Sequence, residues 1–359
     1  MTTNAIDAPP APPEESGPPD SAARGHPVWA MLGFRNISAV YILAALLILF
    51  AFWIPDLFYT ETTLRTLFDS QAIVGLAAVA LVVPLSAGVF NLAVGHQVGV
   101  AGIMVGWCLV DKGYGVWTSM VFAIVAGLII GAVSGLLVVR ARIDSFIATL
   151  GVSSLLAALI TAISDGQQIL NLPESFARFG TDTLAGITYP VVALALVSLA
   201  VWYVLERTPL GRRIYATGGN KDAARLSGVR TSVIIVGSLM AGGAIAALAG
   251  ILVTARLANA DPTVGPSYLL PAFTAAFLGS TQFRGGRFNV WGTILAVYVL
   301  AVGVKGLQLG GAPVWIPDAF NGASLLVAVG MAAYASPARR SDHKPRFDAI
   351  RRLIRKRTN

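Results

Sequence analysis

The sequence predicts an all-α polytopic membrane protein of about ten transmembrane helices, with a broken second helix and a short cytoplasmic helix in its longest loop. Three observations lead there. Hydrophobic residues make up 55% of the 359 residues and charged ones 12%, with a mean hydropathy of +0.71; soluble domains carry about 25% charged residues. The charges are clustered, so that uncharged stretches of membrane-spanning length lie between them. Their sign is also unevenly distributed, as the positive-inside rule requires. A soluble enzyme is excluded.

The spans follow from where charge is absent. The first window is Asn36–Pro55, 20 residues, and a helix rising about 1.5 Å per residue crosses a ~30 Å core in about that length. Ser70–Val110 is too long for one span; Pro84, Gly88 and Gly95 divide it into two, joined near Val94–Gly95. Gly113–Val139, Ser145–Ser164, Thr183–Leu205, Thr231–Ala255 and Pro262–Phe283 follow. Phe288–Val304 is short and extends past Lys305, whose ammonium can snorkel, and Ala319–Ala338 is the last. With both termini cytoplasmic, 21 of the 26 Lys and Arg fall inside, and Arg65, Lys112, Arg178, Arg256 and Lys305 remain outside.

Residues 1–35 form a Pro-rich cytoplasmic leader without the apolar core of a signal peptide, and 36–338 are the membrane domain. The basic tail, 339–359, sets Phe347, Ile350, Leu353 and Ile354 at helical spacing among arginines. That pattern suits either an amphipathic helix on anionic lipid or a solvated tail that fixes topology. The net charge of +8 therefore serves topology and the lipid bilayer; no nucleic-acid partner is expected. Cys108 has no intrachain partner, and His26, His96 and His343 are far apart, so no metal site is expected.

Ionised residues are missing from the middle of every span, whereas ion-coupled carriers keep such groups at membrane depth. No lysine completes a G-x-x-x-x-G-K-[ST] loop, so the chain has no nucleotide site of that type; if transport is driven by ATP, another subunit binds the nucleotide and does the catalysis. Glycines repeat at four-residue spacing at Gly95/Gly99, Gly102/Gly106 and Gly127/Gly131/Gly135, and Gly242, Ala246 and Gly250 continue the small-residue pattern. Such faces let helices approach closely in lipid, which indicates packing and not chemistry.

Two stretches stand apart. In Pro84–Gln97 the helix is weakened around Ser86, Asn91, His96 and Gln97, and backbone freed at membrane depth must face protein or a wet cavity. Asn91, His96 and Gln97 are therefore the candidate substrate-path residues, with a simple kink and turn as the alternative. The loop 206–230 contains Gly219, Asn220, Ala223, Ala224, Arg225, Leu226, Ser227 and Gly228. Asn220 suits an N-cap and Gly228 a C-terminal stop, with Ala223 and Leu226 as a small apolar ridge. A helix of two turns needs a partner surface, here or on the bundle itself.

The run Thr208–Val229 resembles the loop pattern T-x-x-G-R-x-x-Y-A-x-G-G-N-x-x-A-A-x-x-S-G-I/V of bacterial ABC importer permeases for monosaccharides, the ribose/xylose/arabinose type. Ser145–Gly151 is similar to that family's P-F-I-x-T-L-G, Asp165–Ile169 to its G-G-Q-P-I, and Gly279–Arg287 with Gly292 to G-G-T-S-x-x-G-G-R…G. The family's G-x-I-D-L-S-V-G is Gly88–Gly95 here, with Asn91 for Asp and Ala93 for Ser, and Ser145 stands where a proline is usual. The resemblance implies a pore of two permease chains, a homodimer, in the bacterial inner membrane. Cytoplasmic ABC ATPase subunits would hold ATP and Mg, leaving no cofactor on this chain, and a periplasmic substrate-binding protein would deliver the sugar. It makes residues 220–228 the coupling helix. Related permeases for branched-chain amino acids, nucleosides or an autoinducer are the alternative, and an ion-coupled secondary carrier a more distant one.

Overall fold

The computed structural model describes residues 38–58, 60–184, 186–281 and 286–335. The expectations for the leader 1–35 and the basic tail 339–359 fall outside these residues. The described chain is a helical bundle, and its only strands are the two-residue pair β1 (Thr183–Leu184) and β2 (Ile187–Thr188). Six helices are long and apolar enough to cross a bilayer: α3 (Glu61–Ser86), α5 (Val116–Val139), α6 (Ser145–Ser164), α8 (Tyr189–Arg207), α11 (Thr231–Leu257) and α14 (Val290–Leu309). Shorter apolar stretches, Tyr41–Trp53, Val94–Val110 and Ile316–Gly330, stand beside them, within α1 (Ser38–Trp53), α4 (Val94–Val110) and α15 (Ile316–Ala335). Helices suit this environment because every backbone N–H and C=O is satisfied within the segment.

The remaining elements are short: α2 (Pro55–Phe58), α7 (Glu174–Thr181), α9 (Pro209–Gly219), α10 (Lys221–Leu226), α12 (Val264–Ser267) and α13 (Leu269–Ser280). As the charge pattern predicts, α14 runs past Lys305 to Leu309. Three boundaries differ from the charge-free windows. Helix α3 begins at Glu61, nine residues before the window, because Thr60 caps it and its first turns lie where charge is solvated. Those turns bind the hairpin: Asp69 accepts the Thr188 hydroxyl at 2.6 Å, and Arg65 Nη2 donates to the Gly186 carbonyl at 3.3 Å. The hairpin consumes 183–188, so α8 starts only at Tyr189. The window Pro262–Phe283 is not one helix but α12 and α13, separated at Tyr268 in a stretch holding Pro262, Pro266 and Pro271.

Helix α11 is the centre of the bundle, and its glycines set how close three neighbours come. A Cβ on Gly242 would meet the Ala80 carbonyl oxygen of α3 at 2.7 Å. Gly243 abuts Gly127 of α5, and Gly250 abuts Val98 and Gly102 of α4. On α5, the four-residue repeat Gly127, Gly131, Gly135 lies against Gly243, Leu239 and Val236 in turn, one contact per helical turn. With lipid as apolar as leucine, this close approach supplies dispersion contact and replaces a hydrophobic driving force. Around it the main core gathers Ile73, Leu76, Leu81, Ile235 and Leu239.

Candidate functional site

The break after α3 begins with Pro84, whose carbonyl accepts from both Ala87 N and Val89 N at 3.0 Å. Gly88 then turns the chain with φ of +77°, a conformation in which a side chain is strained. The connection is Ala87–Ala93, ending at the residue before the predicted Val94–Gly95 junction and centred four residues before it, at Phe90. Gly95 instead lies inside α4 and lets it contact Gly265 at the start of the second interrupted span, where an added Cβ would stand 3.0 Å from the Gly265 carbonyl oxygen.

Buried backbone in such a connection needs partners, and α6 supplies them. Phe90 N donates to Ser145 Oγ at 3.1 Å and Leu92 N to Thr149 Oγ1 at 3.0 Å. Asn91 is fully buried: its Oδ1 accepts from Ala93 N at 3.2 Å and its Nδ2 donates to Gln97 Oε1 at 3.0 Å. Gln97 is buried too, and its Nε2 has no hydrogen-bond partner. His96, half-buried, sets Nδ1 2.7 Å from Ser153 Oγ. Asn91 and Gln97 thus form one buried pair, while His96 lies with Phe90 N and Leu92 N on a polar seam that faces α6. The sequence reading missed the other side of that seam, Ser145, Thr149 and Ser153. Their signal was available: hydroxyls at i, i+4 and i+8 share one helix face.

The loop 206–230 holds two helices. The first, α9, was not foreseen, although Thr208 as N-cap and Pro209 at N1 are its usual signature. Its buried residues Gly211, Ile214 and Thr217 fall on one face, which lays the helix on the bundle. The second, α10, occupies the predicted position. Asn220 Oδ1 accepts from Asp222 N and Ala223 N at 3.1 and 2.9 Å, and Gly228 turns the chain with φ of +87°. Ala224 is buried against the bundle and Ser227 Oγ donates to its carbonyl at 2.9 Å. Gly219, Ala223 and Arg225 face outward, and Leu226 is 90% exposed.

The two stretches meet. A cavity of about 1260 Å³ is bounded by Ala87–Val89 of the break, the α5–α6 connection around Arg142 and Asp144, and Thr217–Asp222 of α9 and α10. At its edge Gly218 is pressed onto the break, where a Cβ would collide with the Ser86 carbonyl and stand 3.0 Å from Gly88 N. Asn91, His96 and Gln97 do not line this cavity. Among the described residues, no group of three or more His, Cys, Asp or Glu could hold a metal ion.

The sequence that builds this interrupted span, cavity and capped helix matches a known family. The family described as branched-chain amino acid transport system / permease component matches residues 63–329. The chain belongs to this permease family. The permease is 33% identical over 295 residues to the ribose import permease protein RbsC of Escherichia coli (strain K12), covering 80% of this chain and 91% of that one. It is 27% identical over 338 residues to the L-arabinose ABC transporter permease protein AraH of Azospirillum brasilense, covering 92% and 97%. It is 32% identical over 287 residues to the autoinducer 2 import system permease protein LsrC of Yersinia pseudotuberculosis, covering 79% and 81%. No solved structure gives a significant match.

Proposed function

We propose that this permease is the membrane subunit of an ATP-driven importer for a monosaccharide, working as a dimer with a separate ATPase and a periplasmic binding protein. The observation that carries it is the exposed Leu226 on a capped two-turn helix that is joined through Gly218 to the break in the membrane domain. Two turns of helix with a bare leucine are not stable alone in water; docked in an ATPase cleft, Leu226 would be buried. ATP and Mg belong to that subunit. Closure of the ATPase would push α10, and α9 would pass the movement to Ser86–Gly88 by backbone contact, biasing the break between two arrangements.

In this reading the described helices make ten spans: α1, α3, α4, α5, α6, α8, α11, α12 with α13, α14 and α15. Both termini and the α8–α11 connection are then cytoplasmic, consistent with the placement of 21 of the 26 Lys and Arg. The sugar preference rests on the ribose and arabinose relatives and on the Thr208–Val229 loop pattern. Proteoliposomes holding the permease with its ATPase and binding protein are expected to take up ribose or arabinose only when ATP is supplied. Uptake driven by an ion gradient without ATPase would refute the reading, and ATP-driven uptake of leucine alone would move the substrate to branched-chain amino acids.

Asn91, His96 and Gln97 are the proposed path residues, because the free Nε2 of Gln97 is a buried donor suited to a sugar hydroxyl once the break opens. Asn91→Leu leaves Ala93 N and Gln97 Oε1 without partners, at about 1–3 kcal/mol each. Transport is expected to fall at least about tenfold with a lowered melting temperature. Asn91→Asp keeps the acceptor for Ala93 N but brings a carboxylate that must be hydrated, so uptake should stay within a few-fold of wild type if the break opens to water and fall with it if the site stays dry. Equal uptake by Asn91→Leu and wild type would remove the assignment.

A further inference from the structure

A second concave region lies between spanning helices, with Val83, the residue before Pro84, in its wall. Between α8 and α11 runs an apolar groove of about 330 Å³, walled by residues such as Val83, Val201, Val204, Gly237 and Ala241. That volume is at the lower end of ordinary small-ligand pockets. Its one hydroxyl, Ser238 Oγ, already donates to the Ile235 carbonyl at 2.8 Å, so no side chain of the groove offers a free donor to a polar ligand. A second hollow of about 550 Å³ adjoins it, sharing Leu210, Val233 and Ile234, and its rim carries Arg213 and Arg230. Both arginines are exposed, and neither guanidinium is hydrogen-bonded or ion-paired to a described residue.

We infer that this composite groove is a binding site for an anionic phospholipid, with an acyl chain between α8 and α11 and the phosphate between Arg213 and Arg230. The chemistry is complementary at both ends. A lipid tail needs a wall without unsatisfied polar groups, and the first hollow provides one. An anionic headgroup needs donors at the level where the apolar wall ends, and guanidinium groups pair with phosphate through fixed forks of N–H donors. Basic pockets between spanning helices on the cytoplasmic side are suited to such headgroups. The site rests on the cytoplasmic placement of the α8–α11 connection proposed above, which puts the two arginines at the inner leaflet. Since α9 and α10 extend from the same connection, a lipid held here would brace the helix that meets the ATPase.

The test uses the purified full-length permease in mild detergent, titrated with phosphatidylglycerol or phosphatidylethanolamine and weighed by native mass spectrometry. Wild type is expected to prefer phosphatidylglycerol. Arg213→Ala/Arg230→Ala should lower that preference on the order of tenfold. Gly237→Phe should displace both lipids; an added Cβ at Gly237 meets nothing within 4 Å, so the side chain can fill the groove without disturbing the bundle. Unchanged binding in Gly237→Phe would overturn the inference, and so would an unchanged lipid preference in the double arginine variant, even if ATPase assembly were lost. Binding in micelles does not depend on orientation. Labelling of Arg212→Cys by an impermeant reagent in intact cells would therefore refute the topology separately.

Discussion

Leu226→Asp is expected to abolish transport while the permease still inserts and folds. The wild-type side chain is 90% exposed and supports nothing within the chain, so the substitution costs the isolated protein almost nothing. In the assembled importer the carboxylate would be desolvated in an apolar cleft, at a cost of several kcal/mol if unpaired. That is a loss of at least about a hundredfold in ATPase affinity, read as absent co-purification of the ATPase beside normal permease yield and an unchanged melting curve. Leu226→Met, which keeps the volume and polarity, should retain association. Normal uptake by Leu226→Asp would remove the coupling assignment. Loss of the permease itself would show instead that Leu226 packs on its own bundle.

Gly131→Leu is expected to cost the fold. A Cβ at this position collides with the Leu239 carbonyl and stands 2.7 Å from Met240 Cα, both backbone atoms of the central helix. Backbone cannot rotate away as a side chain can, so α5 and α11 must separate along their length and lose the contacts at Gly127 and Gly135 as well. Overpacking costs about 1–3 kcal/mol where side chains can adjust, and here the penalty should exceed that. Detergent extracts of Gly131→Leu should give aggregated or absent protein on fluorescence-detected size exclusion. Gly151→Leu on α6, where an added Cβ meets nothing within 4 Å, should elute as wild type does. A monodisperse Gly131→Leu peak would show that the two helices do not cross here.

Much of the candidate site was legible in the sequence because it depends on local chemistry. The helix at Asn220–Gly228 is specified by an N-cap that satisfies two of its own backbone donors and a glycine that accepts positive φ; neither needs a tertiary partner. The weakening around Pro84 and Gly88 is legible for the same reason. The position of the junction was not. Gly95 has the sequence character of a breaker, yet it sits within α4 because Gly265, 170 residues away, requires its missing side chain.

The sequence by itself determined that this chain is a multi-pass helical membrane protein, roughly where its spans lie, and the permease family through its loop pattern. These follow from desolvation of charge and from capping, which act over a few residues and leave a periodic or punctuated record. Tertiary structure alone decided that α11 is the central helix, that Gly218 rests on Ser86 and Gly88, that Ser145 and Thr149 satisfy the break, and that Ser153 meets His96. Those are choices among helix faces of nearly equal hydropathy. In a membrane, where the hydrophobic effect does not tell one apolar face from another, only backbone approach and the satisfaction of buried polar groups make the selection.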